Sequence, residues 1–170
     1  MLPDEIQVYY QAALAAYVAA WDAYINNLVR DFYDVIADAL NPRFHAVYTI
    51  AQQAAERDLD RFNTPNWENT RNLLIQCTGY DPINDWIWNR GGMSGLQVHH
   101  RLNEILHVRH SFAHGFNIPT YNWTQSSSGK VRLTSQSIQK TQAFFKNLVK
   151  VTDRGMKAHI SLTYGLAGIW

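Results

Sequence analysis

Apolar side chains recur every third or fourth position along most of the chain, and this spacing restricts it to amphipathic helices packed on one another. Leu14, Tyr17, Val18, Trp21, Tyr24, Ile25 and Leu28 carry the pattern in a helix that begins near Asp4. The pattern continues or restarts from Phe32 to Leu40, and Asn41-Pro42 breaks it. A second helix is expected from about Arg43 to Phe62. Asn63-Thr64-Pro65-Asn66 reads as a loop and helix start, and a third helix covers about Trp67 to Thr78. Gly79-Tyr80-Asp81-Pro82 ends it. A connector over Asp81 to Gly95 holds a short helix around Asn84 to Trp88. Leu96 to Phe116 is free of proline and reads as a further helix. Tyr121-Asn122-Trp123-Thr124 and Val131-Arg132-Leu133-Thr134 flank a serine-glycine turn as a β-hairpin. The last helix takes Ser137 to about Ser161, with Ile138, Phe144, Phe145, Leu148 and Val151 as its contacts. Gly165 and Gly168 suggest a loose tail. The expected fold is all-α: a helical bundle of about four to five main helices with a small β-hairpin insertion near 121–134. The length fits a single domain over 1–170.

The Leu96–Phe116 helix carries the chemistry. Five of the seven histidines lie on it or just before it: His99, His100, His107, His110 and His114. Its end reads Arg109-His110-Ser111-Phe112-Ala113-His114-Gly115. Gly115 suits a helix stop, because it takes positive φ without penalty. At about 100° per residue, Leu102, Ile105, Leu106, Phe112 and Ala113 fall in one stripe. Arg109 falls inside that stripe. A guanidinium there needs anionic or carbonyl partners, and a buried carboxylate from another helix would supply them without any functional role. His107, His110 and His114 fall on the opposite side. Arg109 and His114 are about 140° apart on an ideal helix, so one straight helix does not bring them face to face.

Arginine with histidine is a sufficient kit for metal-free RNA cleavage: one offsets phosphate charge, the other moves protons. The three histidines at i, i+3 and i+7 also raise a zinc reading. A single helix seldom supplies all three ligands, since the outer pair is about two turns, or ~10 Å, apart. No metal or other cofactor is expected. His45 and His159 are isolated and read as packing or surface residues.

Arg-x4-His, with a polar residue after the arginine and glycine after the histidine, resembles the signature of HEPN domains. The string from Leu102 to Gly115 is similar to the RiboL-PSP-type HEPN group. A looser likeness takes in Pro65-Asn66-Trp67-Glu68-Asn69, Leu73-Leu74 and the last helix, so it covers about Trp67 to His159. The resemblance implies a helical bundle that dimerises, with two motif helices bordering a shared cleft. It implies a metal-independent endoribonuclease in a toxin–antitoxin, phage-defence or RNA-processing setting. Its functional residues carry over to Arg109, His110 and His114. Some HEPN toxins carry a modifiable tyrosine two residues after the motif histidine. Here that position is Phe116, which offers no hydroxyl. The partners implied are an RNA substrate, a second copy of the chain, and an antitoxin or other protein. The alternative is a non-catalytic HEPN-like dimer that binds RNA, a nucleotide or a protein, with Trp86, Trp88, Trp123 and Trp170 as stacking or interface surface.

Composition sets the remaining bounds. Hydrophobic residues make up 46% of the chain, which argues against disorder. The one cysteine, Cys77, excludes an intrachain disulfide, fits a cytoplasmic setting and reads as a buried structural thiol. The apolar run Ala12 to Trp21 is too short to cross a bilayer, and Asp4 and Glu5 precede it, unlike a signal peptide. It reads as an alanine-rich contact face. Net charge is +1, but its distribution is uneven. Residues 1–62 hold nine acids and four bases, whereas 130–157 hold seven bases against Asp153. From this basic end Lys140, Lys146 and Lys150, with His107, are candidate RNA contacts. Pairing with the acidic N-terminal helices would account for the lysines equally well.

Overall fold

The computed structural model describes residues 3–38 and 41–166. It contains five α-helices: α1 (Pro3–Ile36), α2 (Pro42–Arg61), α3 (Trp67–Thr78), α4 (Gly95–Ala113) and α5 (Ser135–Tyr164). The expected all-α bundle is present. α1 runs unbroken for 34 residues, so the restart allowed near Phe32 does not occur. Leu40, Gly168 and Trp170 lie outside the described residues.

Side chains set the helix starts. Asn41 accepts from the Phe44 amide at 3.1 Å, with Pro42 next at a position that needs no amide hydrogen. Asn66 accepts from the Asn69 amide at 2.8 Å. At the head of α4, Gln97 reaches back to the Ser94 amide at 2.9 Å. α3 stops at Gly79, whose φ of 74° is open to glycine.

Two expectations fail in the connectors. The short helix around 84–88 is absent; single 3-10 turns at Pro82–Asn84 and Asn89–Gly91 flank that stretch. Asp81 caps the first of them, and Trp88 bridges to Met93 instead. The hairpin near 121–134 shrinks to one isolated bridge, Gln125 to Val131. Thr124 explains why. Its hydroxyl accepts from the Tyr121 amide at 2.8 Å and donates to Pro119 O at 2.8 Å, folding 119–124 into turns. Too little extended chain is left for a pair of strands.

One cluster of buried side chains draws on all five helices. α1 is its spine and packs along α5 and α4. At the centre Trp86, fully buried, meets Trp21 of α1 edge-on at 6.2 Å and His99 of α4 at 6.0 Å. Its indole N–H donates to Thr152 Oγ1 of α5 at 2.9 Å. Trp21 in turn donates to Pro65 O at 3.1 Å, fixing the loop ahead of α3. Trp86 is therefore core, not a stacking surface. The apolar residues expected to hold α5 (Ile138, Phe144, Phe145, Leu148, Val151) are all buried. Gly155 lies where α5 meets the connector, and a Cβ there would overlap Tyr80 Oη.

His99 is buried rather than at the surface. It stacks on Trp67 at 4.6 Å, and its Nε2 has no hydrogen-bond partner. Burial, then the nearby His100 and Arg71 charges, lowers its pKa below the ordinary histidine value. The unfolded chain therefore binds a proton that the folded chain resists. This contribution to stability is present above the ordinary histidine pKa and is lost as pH falls from there toward the folded value. Melting curves of wild type and His99→Phe between pH 5 and pH 8 test it. The variant should lose less stability on acidification; parallel curves would refute the assignment. His159 plays the packing role expected of it, bonded to Thr78 O at 2.8 Å.

Candidate active site

The buried line of α4 does not follow the ideal wheel. Val98, Leu102, Ile105, Val108 and Ser111 are its buried apolar and hydroxyl positions. From Leu102 onward each step is three residues, which turns the line by about −60° per step. The buried face thus winds away from Arg109 before reaching it. Arg109 is exposed, with no ion pair among the described residues. This corrects the buried-stripe placement, and the alternative of a buried partner carboxylate goes with it. Ala113 is exposed too, while Leu106 and Phe112 are half-buried.

The winding leaves Arg109 beside the histidine face. Arg109, His107 and His110 line one open cavity of about 410 Å³ between α4, α1 and the 63–66 loop. Ala15, Ala19 and Asp22 of α1 form part of its wall. Their i, i+4, i+7 spacing puts them on one helix face. The alanine-rich run is therefore in part the wall of a cleft, kept open by small side chains. Asp22 is the residue that the sequence reading missed. It is half-buried, its Oδ1 has no hydrogen-bond partner, and burial raises its pKa above the ordinary aspartate value. One carboxylate on a face otherwise made by Ala15, Val18 and Ala19 is the available signal.

The end of α4 is closed by a Schellman motif. The Phe116 amide donates to Ser111 O at 2.7 Å and the Gly115 amide to Phe112 O at 3.3 Å, with Gly115 at φ 70°. Gly115 thus stops the helix as its sequence position predicted. His114 sits at the cap with φ −106° and ψ 9°, outside helical geometry. Its ring lies 4.2 Å from that of His110, centroid to centroid. Phe116, 64% exposed, stacks on His114 at 6.0 Å. The cluster is therefore a chain: Arg109 and His110 share the cavity, and His110 touches His114. Arg109 and His114 do not both line it.

The family model described as RiboL-PSP-HEPN matches residues 2–158. The chain belongs to that family. The match reaches back through α1, well beyond the Trp67–His159 span expected from the motif and its flanks. α1 is thus part of the HEPN domain, consistent with its place in the cleft wall. No curated protein and no solved structure matches the chain.

The other candidate RNA contacts separate. His107 lines the cavity, but its Nδ1 pairs with Tyr121 Oη at 2.8 Å. No group of three metal-binding side chains occurs among the described residues. Lys140, Lys146 and Lys150 are exposed on α5. None lines the motif cavity, and none pairs with the acidic N-terminal helices among the described residues. Cys77 is buried, which pushes its thiol up to about 12; it is no nucleophile at neutral pH. No helix among the described residues is long and apolar enough to cross a membrane.

Proposed function

We propose that the chain is a metal-independent endoribonuclease working as one HEPN domain over 1–170. The observation that carries this reading is the Arg109–His110–His114 cluster at the rim of an open cleft, the histidine rings 4.2 Å apart. Arg109 contacts the scissile phosphate and stabilises the charge that grows on it. A histidine takes the proton of the ribose 2′-OH as the 2′-oxygen attacks phosphorus. The bond from phosphorus to the 5′-oxygen breaks, and a second histidine returns a proton to that oxygen. The products are a 2′,3′-cyclic phosphate and a 5′-OH end. His114 is the acid–base residue. His110, held against it, orients it or donates to phosphate.

The working form is a symmetric dimer in which two α4 ends border one cleft. HEPN domains often bind RNA and dimerise. Exposed Phe116 beside the motif gives this end an apolar surface to cover. Such a dimer supplies the second histidine and offsets the separation of Arg109 and His114 within one chain. The setting is cytoplasmic: a toxin or phage-defence effector, or an RNA-processing enzyme. An antitoxin or other protein would restrain it.

The test is a digest of labelled RNA by purified protein in excess chelator, with light scattering in parallel. Cleavage is expected with EDTA present, by a dimer at micromolar concentration. Loss of cleavage in EDTA would overturn the mechanism, and a monomer would overturn the shared cleft. Failure to cleave any RNA would leave the chain a binding module.

A further inference from the structure

On another side of α4 lies a second groove, of about 700 Å³. Trp88, Trp123, Arg90, Arg101 and Lys140 line it, and no Asp or Glu does. The Trp88 ring is held in place: Phe144 meets it edge-on at 5.9 Å, and Gly91 backs it so closely that a Cβ there would overlap the ring. Trp123 is fixed by its N–H bond to Glu104 Oε2 at 2.9 Å. The Arg101 guanidinium lies 5.2 Å from the Trp123 ring centre. This side chain is only 21% exposed, and its one ion pair runs from Nε to Glu104 at 3.4 Å. Its Nη groups donate to nothing among the described residues. Glu104 faces this guanidinium on its Nε side only, and the open Nη donors of a half-buried guanidinium suit a further acceptor such as a phosphate oxygen.

We propose that this groove binds a nucleotide, its base against the tryptophans and its phosphate among Arg90, Arg101 and Lys140. Rigid indoles offer stacking to any base, and the cations follow the backbone. The RNA strand itself is the source the geometry favours. Tyr121 bonds His107 at the cleavage cavity and lies parallel to Trp123 at 6.4 Å in the groove. One loop thus joins the two cavities, so a strand cut at the first can lie in the second. That choice of source rests on the ribonuclease reading; the nucleotide chemistry of the groove does not. Among the lysines singled out in the sequence, Lys140 then has a site.

The experiment measures fluorescence anisotropy of a labelled 2′-O-methyl RNA decamer, which cannot be cut, at several salt concentrations. Arg90→Glu/Lys140→Glu changes two exposed residues, so folding is not at risk. The double variant should bind at least about tenfold more weakly, with the salt slope smaller by about 1 to 2. Arg57→Glu/Lys157→Glu, outside the groove, is the charge-matched control and should stay within about twofold of wild type. Equal binding by the groove variant and the control would overturn the proposal. Displacement of the decamer by micromolar AMP or UMP would assign the groove to a free nucleotide; resistance to millimolar nucleotide assigns it to the strand. Cutting of the dinucleotide UpA, too short to reach the groove, separates the two readings. UpA cleavage with groove-independent decamer binding sinks the groove alone. Groove-dependent binding without cleavage of any RNA sinks the ribonuclease alone.

Discussion

Replacing His114 by alanine should slow RNA cleavage by about 10²- to 10⁴-fold, the range for loss of a positioned acid–base group. The same change should move the melting temperature by no more than about 2 °C. The two halves of this result belong together. His114 is exposed at the cap of α4, bonded through its backbone amide to His110 O at 3.2 Å. Alanine keeps that bond, because it is made by the main chain. The ring's visible contacts are His110 and Phe116, both exposed. Little packing is lost and no buried partner is orphaned. Arg109→Lys should also cleave poorly, by about 10²-fold or more, since lysine keeps the charge but not the planar fork of donors. A large fall in melting temperature for His114→Ala would make the residue a structural cap. Full activity in that variant would remove it from the mechanism.

The largest effect on stability should come from Trp86→Ala. The cost is about 3–5 kcal/mol, the usual range for deleting a buried large aromatic. At about 2–4 °C per kcal/mol for a chain of this size, the melting temperature should fall by roughly 6–20 °C. The size follows from what the ring joins. It is fully buried, touches Trp21 of α1 and His99 of α4, and donates to Thr152 of α5. Alanine leaves a cavity where three helices meet. Trp86→Phe keeps most of the ring and loses the indole donor. Thr152 Oγ1 still donates to Leu148 O at 2.7 Å, so this variant should fall less than half as far. Thermal melts of both variants check the ranking; a Trp86→Ala protein as stable as wild type would refute the core described here. Loss of activity in Trp86→Ala should track unfolding and return on cooling, unlike that of His114→Ala.

These expectations separate what sequence could convey from what it could not. Helix extents followed from three-and-four spacing and from local stops. The Gly115 stop is short-range chemistry and appears in the structure as read. Asn41-Pro42, read as the break after Leu40, is instead the cap and first residue of α2, and α1 already stops at Ile36. Arg109 was misplaced because a wheel assumes that one straight face is buried. The buried line of α4 instead advances by threes, a tertiary effect of packing against α1. Asp22 was missed for a similar reason: only the fold brings α1 against the end of α4 and turns an alanine face into a cleft wall. The hairpin failed because Thr124 spends its hydroxyl on turn bonds, a local competition that β-propensity does not register. Charge alone groups Lys146 and Lys150 with the site, and neither lines the motif cavity.

On the proposed mechanism, the end of α4 cuts RNA by attack of the strand's own 2′-hydroxyl. Mass spectrometry of the product ends measures this most directly, using matched RNAs with and without a single 2′-deoxy sugar at the cut position. The expected products are 2′,3′-cyclic phosphate and 5′-OH ends, formed in EDTA, with the 2′-deoxy substrate left intact. Products with 5′-phosphate ends, or cleavage of the 2′-deoxy substrate, would rule this mechanism out.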